Sequence, residues 1–209
     1  MKVTILGATG RTGQQLITQA LAAGHEVVAY ARNPDKITQT HPRLQVVGGG
    51  LEDDGALRHA FQGTDAVLSG LGPVGNNPDY VLGRSTPHII RTMQAEGVSR
   101  LVLATGAGVR WPGDTPGLFD QLMGFLLKTL AKHVLEDSRR MVTAVVNSDL
   151  AWTIVRVPVL NDNPATGTVR VGMVGQGTGS KLSRADMAAF MLAQLQSKQY
   201  VRQAPTISN

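Results

Sequence analysis

A chain of 209 residues, 42% of them apolar, can bury a full core and fits one domain. It contains no cysteine, which excludes a disulfide framework, a thiolate metal site and a cysteine nucleophile, and suits a reducing cytoplasm. The net charge of +5 is spread along the chain, with only Arg139 and Arg140 adjacent and aromatics at 4%, so a nucleic-acid surface gives way to a site for an anionic small molecule.

Residues 1–20 lack the basic, apolar and small-residue order of a signal peptide, because a glycine turn interrupts the apolar stretch at Gly7. No uninterrupted apolar run approaches the ~20 residues that span a bilayer, so a cytoplasmic protein without membrane segments is expected. The five histidines (His25, His41, His59, His88 and His133) fall in separate segments without ligand-like spacing, and no metal is expected.

In chain order, Val3 to Leu6 reads as a strand, rich in β-branched residues and ending at glycine. Gly7, Gly10 and Gly13 follow in a turn, and from Gln14 apolar residues recur at helical spacing through Leu16, Ile17, Ala20 and Leu21. In a strand–turn–helix of this kind the first glycine lets the chain reverse and the second lets backbone approach a pyrophosphate. The third lets the helix pack close to the strand, and the new helix's amides hold the phosphates. The spacing is G-x-x-G-x-x-G rather than G-x-G-x-x-G, but its position makes it a dinucleotide motif.

Glu26–Tyr30 reads as strand two, after a glycine C-cap at Gly24, and a short helix covers Pro34 to Thr38. Leu44–Val47 is strand three, Asp53–Phe61 a helix and Asp65–Ser69 strand four. A turn-rich stretch from Gly70 to Pro78 leads to a helix over Asp79–Glu96, and Ser99–Ala104 is strand five. Thr105–Gly117, with four glycines and two prolines, is expected to be loop. Leu118–Val146 carries apolar periodicity for one long helix or two in sequence, serving as a dimer seam or as cover for the sheet, so monomer and homodimer both stay open. Trp152–Arg156 is strand six. This β-α alternation predicts an α/β fold, a Rossmann-type doubly wound parallel sheet in a single domain over residues 1–209, with a small C-terminal region on the substrate side.

Such a sheet takes its ligand at the carboxyl ends of its strands, and five loops were expected to converge there: Gly7–Gly13, Ala31–Pro34, Gly70–Gly72, Thr105–Gly108 and Val157–Leu160. Arg32 stands at the end of strand two, with no Asp or Glu until Asp35. An acidic residue there accepts from the ribose 2′-hydroxyl of NAD, whereas an arginine pairs with the 2′-phosphate of NADP, so NADP(H) is expected. Arg11, inside the glycine loop, can add a second phosphate contact.

The strings Gly7-Ala-Thr-Gly-Arg-Thr-Gly13, Ala29-Tyr-Ala-Arg-Asn33, Asp65-Ala-Val67 and Ala151-Trp-Thr-Ile-Val-Arg156 with Pro158 resemble the atypical short-chain dehydrogenase/reductases, specifically the NAD(P)H-binding, NmrA-like family and its flavin- and bilin-reducing branch. The resemblance runs over nearly the whole chain, and Leu182–Ala188 is similar to the start of that family's penultimate helix. It implies NADP(H) over Gly7, Thr9, Gly10, Arg11, Thr12 and Gly13, with Arg32 at the 2′-phosphate. Leu51 would border the adenine, Gly70, Leu71 and Gly72 the ribose, and Thr105, Pro158 and Val159 the nicotinamide.

The sequence departs from that pattern at three positions: Gly50 replaces an aspartate that contacts adenine, leaving that contact to backbone, Gly106 replaces a serine, and Val159 replaces a histidine. Bilin reduction is thereby set aside, and Thr105 is left as the hydroxyl beside the nicotinamide and the candidate catalytic residue. The Tyr-x-x-x-Lys pair of ordinary short-chain dehydrogenases is missing, since Tyr80 is followed four residues later by Arg84 and Tyr200 by Ala204; Tyr80 and Arg84 read as surface neighbours on a helix. No Gly-x-Ser-x-Gly elbow argues for a serine hydrolase. Two functions fit: an NADPH-dependent reductase of a flavin, quinone or similar planar small molecule, and a non-catalytic NADP(H)-binding redox sensor of the NmrA-like type.

Overall fold

Alternation of side chains along the first strand sets the three layers of the molecule. The computed structural model describes residues 1–209 apart from the side chains of Phe119, Met123 and Leu127. Within β1 (Lys2–Leu6), Val3 and Ile5 enter one apolar cluster and Leu6 another. Successive strand residues point to opposite faces, so a strand covered on both sides becomes a nearly continuous apolar run. β2 (Glu26–Ala31), β4 (Ala66–Ser69), β5 (Arg100–Gly106) and β6 (Ala151–Val157) divide their residues the same way, while β3 (Leu44–Gly48) forms one edge.

On one face lie α2 (Asp54–Phe61), α3 (Val81–Ala95) and α5 (Lys132–Val146), which contribute Phe61, Met93 and Val145 to the first core. On the other, α1 (Arg11–Ala22) and α6 (Arg184–Ala193) supply Leu16, Ile17 and Met191 to the second. Short strands β8 (Arg170–Gly172) and β10 (Thr206–Ser208) extend the main sheet to the order β3-β2-β1-β4-β5-β6-β10-β8. It is parallel from β3 through β10, and only β8 pairs antiparallel. β7 (Val159–Asn161) and β9 (Lys181–Ser183) form a separate parallel pair. This is a Rossmann-type domain whose strand order reverses between β1 and β4, where a ligand crevice opens.

Several boundaries differ from the sequence expectation. The long apolar segment takes the second of its two expected forms, two helices, α4 (Leu118–Leu130) and α5, divided at Ala131. Pro34–Lys36 is one 3-10 turn, because the segment buries none of its side chains and so has no packing to extend it. α1 begins at Arg11, which places Gly13 in its first turn rather than in the preceding loop. β5 runs on through Thr105 and Gly106, held by pairing to Arg156 and Val157, so the loop starts later than its glycine content implied. Leu182 belongs to β9; the helix begins at Arg184, capped by the Ser183 hydroxyl, and is the last one rather than the penultimate.

The rest of the glycine-rich segment is pinned. Arg156, with no exposed surface, donates from both terminal nitrogens to Asp114 at 2.7 and 2.9 Å and from Nε to the Ala204 carbonyl. Asp114 also accepts from the amides of Trp111 and Val174. The arginine of the Trp-Thr-Ile-Val-Arg string therefore fastens the loop after β5 to the sheet.

Candidate functional site

The turn after β1 is shaped by two glycines. Gly7 takes φ +75°, and a side chain there would press on the backbone of Gly70 and Leu71 in the turn after β4. A Cβ on Gly13 would overlap the Gly7 carbonyl oxygen and Ala8, so glycine is what lets α1 lie against the turn. Gly10 occupies the N-cap without a side-chain cap, and the first turn holds no acidic residue. The positive end of a twelve-residue helix is thus offered without an internal anion, which is the arrangement that binds phosphate.

A cleft of about 690 Å³ opens from this turn along the carboxyl ends of the first four strands. Gly7, Thr9 and Gly10 border it after β1, Arg32 and Lys36 after β2, Leu51 after β3, and Gly70, Leu71 and Gly72 after β4. Leu82 and Ser85 of α3 and His133 and Asp137 of α5 close its far side.

Of the other residues expected at the site, Arg11, Thr12 and Gly13 lie in the first turn of α1 and do not line the cleft. The exposed Arg11 guanidinium donates to Asp162 at 2.7 Å, and Asp162 also accepts from Arg184 at 2.7 Å. Thr105, Pro158 and Val159 do not border the cleft either, so of the five loops expected three line it, those after β1, β2 and β4, joined by the turn after β3. Thr105 is buried, and its Oγ1 has no hydrogen-bond partner. It shares the sheet face of Leu101 and Leu103, the face covered by α5.

The charges around the cleft are mostly committed. Glu52 accepts from Arg84 at 2.7 Å, which holds its carboxyl below the usual range, and Asp53 caps α2 by accepting from the Ala56 amide. Asp137 accepts from the amides of Leu82 and Gly83 at 3.3 and 2.7 Å, capping α3 from a neighbouring helix. The Tyr30 hydroxyl donates to the Gly50 carbonyl at 2.6 Å; burial, with Asp53 adding to it, pushes the phenol up to about 12, so it stays protonated. Of the Gly50 backbone groups expected to face adenine, the carbonyl is already engaged. At the β2 exit Arg32 and Lys36 face the cleft, while Asp35 does not.

Tyr80 is not the surface partner of Arg84. It is half-buried at the N-cap of α3 with φ 46°, its hydroxyl lies 2.8 Å from His133 Nδ1, and the Arg140 guanidinium sits 4.0 Å from its ring centroid. Lys36 and His133 escaped the sequence reading because neither belongs to a local motif, and Tyr30, though part of the Ala29–Asn33 string, was given no role; only the fold brings them to the cleft. Among the described residues no group of three potential metal ligands occurs, and no helix is long and apolar enough to cross a membrane.

The fold and this glycine cradle define a dinucleotide-binding domain of the Rossmann class. Within that class the chain belongs to the NAD(P)H-binding family, whose model matches residues 7–198. It is 33% identical over 121 residues to a 2-alkyl-3-oxoalkanoate reductase of Stenotrophomonas maltophilia, a match covering 52% of this chain and 34% of that protein. Two further curated relatives, both named oxidoreductases, are matched over 57% and 55% of their length. The chain thus spans about a third to somewhat over half the length of these relatives. Among solved structures, a short-chain dehydrogenase/reductase of Veillonella parvula in complex with NADP matches with TM-score 0.80 at 20% identity, covering all of this chain and 94% of that one. An anaerobillin reductase of Escherichia coli matches with TM-score 0.81 at 22% identity, covering all of this chain and 97% of that one. These two likenesses concern the fold.

Proposed function

We propose that the protein is an NADPH-dependent reductase of a flavin, quinone or similar planar small molecule. The observation that carries this reading is the β2 exit, where Arg32 and Lys36 line the cleft and the nearest acidic residue on that turn, Asp35, does not. A guanidinium fork matches phosphate geometry, and a second cation on the same turn suits the doubly charged 2′-phosphate. The residues present fit the dinucleotide in two further respects. A side chain at Gly7 or Gly13 would collide with the backbone that shapes the cradle, and the Thr105 hydroxyl is buried without a protein partner.

In this reading Gly7, Thr9, Gly10, Thr12 and Gly13 hold the pyrophosphate, and Leu51 borders the adenine. Gly70, Leu71 and Gly72 border the ribose, and Thr105, Pro158 and Val159 face the nicotinamide. The C-terminal segment, tied to the phosphate turn through Asp162, lies on the substrate side. When bound, NADPH supplies hydride; the protein supplies orientation and exclusion of water.

The test is calorimetric titration with NADPH and NADH, followed by steady-state oxidation of NADPH with flavin mononucleotide and small quinones. Tighter binding of NADPH together with turnover supports the reductase. Tight binding without oxidation by any acceptor would replace it with the dinucleotide sensor, and no binding of either nucleotide would remove both.

A further inference from the structure

The cleft of a reductase needs a proton source as well as a hydride path, and this chain lacks the tyrosine–lysine pair that ordinary short-chain dehydrogenases use. Opposite the glycine turns, however, α5 presents one imidazole. His133 is the only histidine among the described residues that borders the cleft. Its Nδ1 lies 2.8 Å from the Tyr80 hydroxyl, and Nε2, on the other edge of the ring, has no partner among the described residues. The start of α5 and the Tyr80 ring are each held: Asn76 Oδ1 accepts from the His133 backbone amide at 3.0 Å, and the Arg140 guanidinium sits 4.0 Å from the centre of the Tyr80 ring.

Tyr80 pays for this position in backbone conformation. An aromatic residue at φ 46° is a backbone outlier, and such strain persists only where the surroundings over-determine it. Here the surroundings are the imidazole in front of the hydroxyl and the guanidinium over the ring. The strained turn sets the Tyr80 hydroxyl beside Nδ1 and leaves Nε2 without a partner among the described residues.

We propose that His133 is the proton donor to substrate and that Tyr80 is its positioning residue. The site would then take a conjugated carbonyl acceptor of the quinone class, an inference that rests on the reductase reading above. In the imidazolium form Nδ1–H donates to the Tyr80 oxygen, and Nε2–H faces a carbonyl oxygen of the acceptor. As hydride from the reduced nicotinamide adds to the acceptor, the carbonyl π pair moves onto oxygen. The new O–H bond forms as Nε2–H breaks, leaving neutral imidazole, and solvent returns its proton. The acceptor gains two electrons and two hydrogens, and the dinucleotide is oxidised. A flavin makes no such demand, because hydride arrives at a ring nitrogen and the resulting anion is stable near neutral pH. His133 therefore discriminates between the two acceptor classes left open by the cofactor site.

The experiment compares His133→Ala, His133→Gln and Tyr80→Phe with the unaltered protein, using NADPH with 2-methyl-1,4-naphthoquinone and, separately, with flavin mononucleotide. Expected is a loss of about 10²–10⁴-fold in quinone kcat for both His133 variants, the range for a general acid, with a loss on flavin mononucleotide at least about tenfold smaller. Added imidazole should restore part of the activity to His133→Ala. Tyr80→Phe should lower quinone kcat about tenfold with KM unchanged. Two readouts do not depend on turnover: the thermal unfolding midpoint of each variant reports folding, and the nitrogen-15 resonance of His133 Nδ1 should move in Tyr80→Phe. Unchanged quinone turnover in the His133 variants overturns the proposal, as does equal loss on both acceptors or loss that imidazole does not relieve. An effect of Tyr80→Phe on KM alone overturns the positioning role. If the unaltered protein binds NADPH yet reduces neither acceptor, the reductase reading itself has failed and the proposal goes with it.

Discussion

Arg156 and Asp114 form a bidentate ion pair with both side chains excluded from solvent, and that pair joins β6 to the glycine-rich segment ahead of α4. Removing one partner strands a buried charge, which costs about 3–5 kcal/mol. Arg156→Met is therefore expected to lower the unfolding free energy by about that much, read from the midpoint of urea denaturation. A double replacement, Arg156→Met with Asp114→Leu, should recover much of the loss, since an apolar pair of similar volume is often neutral. A single variant as stable as the unaltered protein would show that the pair contributes nothing.

Acid should weaken the protein through the same carboxylate. Burial pushes the Asp114 carboxyl up, but the hydrogen bonds from Arg156 and from the Trp111 amide outweigh it and hold the group below its ordinary value. Asp186 behaves likewise, with burial opposed by donors from Thr166, Ser183 and Gly167. A carboxyl depressed in the folded state contributes stability that is complete above the unfolded value, about 3.9, and is lost as pH falls through the folded value. Denaturant midpoints should thus be level from pH 7 to about 5 and drop below about pH 4. A midpoint unchanged between pH 5 and pH 3 would contradict this.

Cofactor choice should turn on one position. Arg32→Asp removes a cation from the β2 exit and sets an anion facing the 2′-phosphate. A charge-assisted hydrogen bond contributes about 1.5–3 kcal/mol, so NADPH affinity should fall about 10- to 100-fold while NADH affinity holds or rises. Calorimetric Kd values for both nucleotides check this, and unchanged NADPH affinity would take Arg32 out of the site.

The glycine turns make a paired prediction. Gly13→Ala places a methyl into the Gly7 carbonyl and Ala8 and should either abolish dinucleotide binding or unfold the chain; Gly50→Ala meets nothing within 4 Å and should leave thermal stability within about 0.5 kcal/mol. Equal behaviour of the two variants would mean that α1 can back away from the turn.

Much of this was legible in the residues themselves. Val3–Leu6 followed by three glycines and an apolar helical stripe specifies strand, turn and helix through local sterics and periodicity, which is why the glycine turn was visible before any fold. What escaped notice depends on contacts between distant segments. His133 borders the cleft only because α5 crosses the sheet beside α3, and β7 to β10 are three residues each, too short to show alternation. Thr105 was misplaced into a loop because glycine content marks flexibility, whereas pairing with Arg156 kept the strand going.

Asp137 completes the amino end of a helix to which it does not belong. With Gly83 letting α3 approach the Arg140 side chain, neither helix can tilt alone without stripping two amides of their acceptor. The wall carrying Leu82, Ser85 and His133 must therefore travel as a single plate. The turns after β3 and β4 are tied to that plate, Glu52 accepting from Arg84 and Ser85 and Asn76 from the His133 amide, so any breathing of the crevice that admits a bulky acceptor would have to come from the turns after β1 and β2.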